Sequence, residues 1–72
     1  MPQPTKAFIR KVETNRRKLR RLDRMYGYDS YRKAKVIHSL IHNMVEAWDN
    51  HGRTNAGQDI ISEIRSDILE YL

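Results

Sequence analysis

The chain has no cysteine, so no disulfide or thiolate metal site can brace it, and a reducing cytoplasm is the expected setting. Its two prolines, Pro2 and Pro4, sit at the start and make residues 1–5 an extended tail. No apolar run approaches the length of a membrane span, and the opening MPQPTKAFIRK lacks the apolar stretch of a signal peptide. No segment sustains the alternation of a strand. There is no glycine-rich phosphate loop, no thiol nucleophile and no acid pair in an evident cleft, and Ser30, Ser39, Ser62 and Ser66 fall in capping or helical contexts. His38 and His42 have the four-residue spacing that can hold a metal, but the stretch HSLIH supplies no glutamate after the first histidine and no third ligand. These absences argue against an enzyme, a metal site, a cofactor or a membrane protein.

What the chain has in excess is positive charge, on one side of its midpoint. Eight of the fifteen residues from Arg10 to Arg24 are Lys or Arg. Residues 1–36 hold twelve Lys/Arg against three Asp/Glu, a net of +9, and residues 37–72 hold two against six, a net of −4. Such a block repels itself, which points to a polyanion opposite it. With 72 residues in all, the chain makes one small domain burying roughly 60% of its unfolded surface. Its core is marginal without a partner or a second copy.

Apolar spacing predicts an all-α three-helix bundle with helices at about 6–26, 30–50 and 56–72, forming one helical domain over 6–72. In the first, Phe8, Val12, Leu19, Leu22 and Tyr26 recur in steps of three and four with Asn15 in the missing slot. Thr5 is the expected N-cap and Gly27 the C-terminal stop. Asp29 or Ser30 caps the second helix, whose stripe is Ala34, Ile37, Leu40, Ile41, Met44, Val45 and Trp48. Trp48 reads as core. The stretch HGRTNAG reads as a loop, and Thr54 or Asn55 caps the third helix. Its apolar side is Ile60, Ile61, Ile64, Ile68, Tyr71 and Leu72. Leu69, Tyr71 and Leu72 either complete the core or form a homodimer contact. Asn15 either sets the register of a helix pair or sits at a wet rim.

With that seam inward, Arg10, Arg17 and Arg24 fall on the outermost line of the first helix, roughly 10 Å apart at ~1.5 Å per residue. Lys11, Lys18, Arg20 and Arg21 widen the line, and Arg16 flanks the seam. Arginine's planar donor fork suits phosphate and stacks on bases. Asp59, Glu63 and Asp67 on the third helix can neutralise only part of this face. A second cluster, Tyr28, Tyr31, Arg32, Lys33 and Lys35, opens the second helix. Cations there oppose the helix dipole, so they point to an anion site, and the tyrosines offer faces for stacking.

The expected function is a small non-enzymatic regulatory protein of transcription or another nucleic-acid process. Its contact set for DNA or RNA is Arg10, Arg17, Lys18, Arg20, Arg21, Arg24, Tyr28, Tyr31, Arg32, Lys33 and Lys35. A standard helix-turn-helix would place the third helix in the groove, but that helix carries four acids and only Arg65. Helices 1 and 2 as the motif, or an arginine-rich helix laid into an RNA groove, fit better. The alternative is a phage-type regulator docking its basic helix on an acidic surface of a host machine such as RNA polymerase, and modifying it.

Overall fold

The first helix begins where Thr5 Oγ1 accepts a hydrogen bond from the Phe8 amide at 3.1 Å, the expected cap. In the computed structural model, which describes residues 3–26 and 30–72 (without the side chains of Met25, Tyr26 and Ser30), the elements are α1 (Lys6–Tyr26), α2 (Ser30–His51) and α3 (Asn55–Tyr71). There is no strand among the described residues. The architecture is a small all-α three-helix bundle, and its helix bounds lie within one residue of those expected. The expected roles of Gly27, Asp29 and the Ser30 side chain lie outside the described residues.

The second loop is shorter than the composition of HGRTNAG suggests. His51 still belongs to α2, and Asn55 already belongs to α3. Thr54 is the cap that forms. Its backbone is extended (φ −101°, ψ 152°), its hydroxyl oxygen accepts from the Gly57 amide at 2.9 Å, and the same hydroxyl donates to the His51 carbonyl at 2.8 Å. One side chain thereby satisfies an orphan group on each of two helices. Gly57 is buried against this junction, and a Cβ there would fall inside the contact distance of the His51 carbonyl oxygen. An exposed helical Gly→Ala change gains about 1 kcal/mol. Gly57→Ala is expected to reverse that sign and cost about 1–3 kcal/mol through overpacking. Chemical denaturation reads the difference, and a raised midpoint would contradict the close approach.

Phe8, Val12 and Leu19 of α1, Leu40 and Ala47 of α2, and Ile60 and Ile64 of α3 form the buried core. The α1 seam is therefore the one its spacing predicted at Phe8, Val12 and Leu19, with Leu22 half-buried; the Tyr26 side chain lies outside the described residues. α2 is rotated from its expected stripe. On α2 the buried line is Leu40, Asn43 and Ala47, while Ile41, Val45 and Trp48 are exposed. At 100° per residue this turns the buried arc by about a quarter turn from the expected stripe. Trp48 is not a core residue. The apolar arc of α2 is too wide for two neighbours to cover, and α1 and α3 take the side where small Ala47 lets helices approach closely. α3 keeps its expected side inward, with Ile60 and Ile64 buried and Ile61, Ile68 and Tyr71 packed against the core, but Asp67 is buried beside them and Leu72, like Leu69, is exposed.

A polar pair fixes α1 against α2. The Asn15 amide donates to Asn43 Oδ1 at 2.8 Å, with Asn43 buried. Asn15 thus has a protein partner within the α1–α2 seam, which specifies register because any slip strands a buried amide. His51, whose burial the loop reading missed, packs its ring on Phe8 with centroids 5.5 Å apart. The Cα envelope is flat, 40 × 20 × 14 Å.

Candidate nucleic-acid interface

α1 carries nine Lys/Arg against Glu13 and Asp23, and the fold distributes these cations unequally. Arg16 is taken inward. Its Nε donates to Asp67 Oδ2 at 2.5 Å, and its Nη1 donates to Glu63 Oε2 at 2.8 Å. The Asp67 side chain is only 9% exposed, so its charge is compensated mainly by this guanidinium. The hydrogen bond to Asp67 holds the Arg16 pKa above its ordinary value, although partial burial works against it. Because the shift is upward, its contribution to stability is complete below the ordinary arginine range and constant through neutral pH. Arg20 Nη2 lies 3.6 Å from the same Asp67 carboxylate. The acids of α3 that reach α1 are thereby used at the α1–α3 seam, and Asp59 forms no ion pair among the described residues.

The outer cations are placed differently. Arg10, Lys18, Arg21 and Arg24 are exposed and meet no carboxylate among the described residues. Arg17 is exposed and has only Glu13, one turn away at 3.8 Å, an i,i+4 contact of small worth in water. Arg17, Arg20, Arg21 and Arg24 together line one shallow concavity along the C-terminal half of α1. Arg10 and Lys18 line a second depression with Ala7, Lys11, Thr14 and Asn15, where Lys11 is held by Glu46 of α2 at 3.2 Å. Arg10, Arg17 and Arg24 fall on the outward line that the heptad spacing implied.

The start of α2 does lie beside the end of α1, tied to it by Lys33 Nζ at 2.8 Å from Asp23 Oδ1. That contact changes the reading of Lys33 itself. The residue is half-buried with its ammonium engaged by a carboxylate, so it works as a clamp between helices rather than as a cation facing outward. Lys35 is exposed, with its ammonium 5.4 Å from the centroid of the largely exposed Tyr31 ring. Arg32 is exposed and has contacts of its own. Tyr28 lies outside the described residues.

His38 and His42 meet edge to face at 4.7 Å on the exposed side of α2. Among the described residues no three metal-ligating side chains cluster, and no helix is long and apolar enough to cross a membrane. No family model, curated protein or solved structure matches this chain, so the reading of the site rests on its own geometry and charge.

Proposed function

We propose that the protein is a nucleic-acid-binding regulator that acts by contact rather than catalysis, meeting the phosphate backbone of DNA or RNA with the outer face of α1. The observation carrying this reading is the division of labour among the arginines. Arg16 absorbs the nearby acids of α3, and Arg10, Arg17, Arg21 and Arg24 remain on the surface with Lys18 and Arg20 beside them. Had stability alone set this composition, the outer positions would not hold uncompensated like charges, which repel at helical i,i+3 and i,i+4 spacing. The 21-residue α1 is about 30 Å long, enough to follow a backbone or lie in a groove. Tyr31, Arg32 and Lys35 extend the surface at the start of α2. The chemistry of the contact set is phosphate recognition, and base stacking on Tyr31 adds a sequence-tolerant term.

The test is the salt dependence of binding to mixed duplex and single-stranded oligonucleotides. Six phosphate contacts predict a log–log slope of about −5 on duplex DNA and about −4 on single strands. If nuclease-treated protein shows no retention of any oligonucleotide at moderate salt and co-purifies instead with one large acidic protein, the basic face serves protein docking and this proposal fails.

A further inference from the structure

The face of α2 and α3 turned away from α1 is uncovered and apolar. Trp48, Val45 and Ile41 on α2 are 63%, 54% and 43% exposed, and Leu69 and Leu72 at the end of α3 are 68% and 79% exposed. Met44, Val45 and Trp48 form a cleft with Ile61 of α3. Half-buried Ile37 and Ile68 pack against the core on the same two helices. Asn43 and Glu46, which reach α1, lie on the other flank of α2, since two residues along a helix turn the direction by about 200°. The same holds on α3 for Glu63 against Ile61.

Scattered apolar side chains on a surface need no explanation, but Met44, Val45, Trp48 and Ile61 line one cleft, and exposed Ile41, Leu69 and Leu72 lie on the same two helices. At about 200 Å² for a fully exposed large side chain, the five expose roughly 600 Å², the upper end for an ordinary monomer. The half-buried residues bring the patch close to the ~800 Å² that each partner gives to a standard interface. From Ile37 to Trp48 the only Asp, Glu, Lys or Arg is Glu46, which points to Lys11 on α1; exposed Asp49, one turn after Val45, stands at the rim of the face. On α3 the face includes one charge, Arg65, whose stem can lie on apolar surface while its head reaches the rim.

We infer that this face is the interface of a homodimer, with α2 and α3 of one protomer packed on α2 and α3 of its partner about a two-fold axis. One observation favours a second copy over a different protein: the near-absence of charge makes the patch complementary to itself, as an isologous contact requires, and its area is enough for such a contact. The cations of α1 lie on the far side, so docking brings no positive face against another. The dimer carries two basic α1 faces on opposite outer surfaces.

The test uses the full chain, freed of nucleic acid, and does not depend on what α1 binds. Sedimentation from about 1 to about 100 μM is expected to show the mass doubling. Trp48, the one tryptophan, is its own reporter. Its emission should shift to the blue, and its quenching by acrylamide should fall several-fold over the same range. Val45→Glu should hold the mass at one chain with red-shifted emission throughout. A wild-type chain that stays single with an accessible tryptophan at about 100 μM overturns the inference, even if it captures some other protein. So does a dimer that Val45→Glu leaves intact. Should Val45→Glu unfold, the wild-type mass and emission still decide.

Discussion

Replacing Arg10, Arg17, Arg21 and Arg24 together with alanine is expected to weaken nucleic-acid binding at low salt by at least about 100-fold and to flatten the salt slope by about 3.6. Each phosphate contact contributes about 0.9 to that slope, so the loss counts the contacts directly. The fold should survive. All four side chains are exposed, three meet no carboxylate among the described residues, and Glu13 is only a loose partner to the fourth. Alanine is the best helix former, and removing like charges relieves repulsion, so the melting temperature should hold or rise. Arg20 is left in place because it touches Asp67. Unchanged affinity and slope in a folded variant would show that this face meets no polyanion.

The largest expected loss of stability comes from Leu40→Ala. Leu40 is fully buried in α2 and belongs to the cluster shared by all three helices. Truncating such a leucine costs about 2–5 kcal/mol, and a chain of this length holds only about 4–11 kcal/mol in total. A fall in melting temperature of at least about 10 °C is expected, and partial unfolding at 37 °C would accord with it. The neighbouring Ile41→Ala is the control. At about 1 μM, where self-association contributes least, it should cost far less, because Ile41 faces outward. Equal losses from the two variants would mean that α2 presents a different face to the core.

The helix bounds and the α1 seam were legible because both depend on local signals. Thr5 and Thr54 cap by short-range hydrogen bonds, and Phe8, Val12 and Leu19 recur at the helical period on a helix whose outward line, Arg10, Arg17 and Arg24, is charged. Such a helix has one way to face inward. α2 was legible as a helix but not in its rotation. Its apolar arc runs from Val36 through Leu40 and Met44 to Val45, and spacing alone cannot say which part of a wide arc meets neighbours. The site divided in the same way. The density of arginines is plain from the chain, but Arg16 as the partner of Asp67 and Lys33 as the partner of Asp23 depend on contacts spanning 51 and 10 positions, and only the first of these joins the two ends of the chain. The spacing offered Asp67 as one of three α3 acids able to neutralise part of the basic face, but not that it would be the one buried, beside Ile60 and Ile64.

By its own order of residues the chain determined that it would be helical, where its helices would begin and stop, and that one of them would be strongly cationic. Those properties follow from capping, periodicity and composition, which act over a few residues. Only the packed molecule decided which cations are neutralised and which apolar residues stay in contact with solvent. Ion pairing and burial fall off within a few ångströms, so they answer to which helices lie side by side and at what rotation. In this protein that assigns Arg16 to the interior seam, leaves Arg21 and Arg24 outside, and turns Trp48 to the surface.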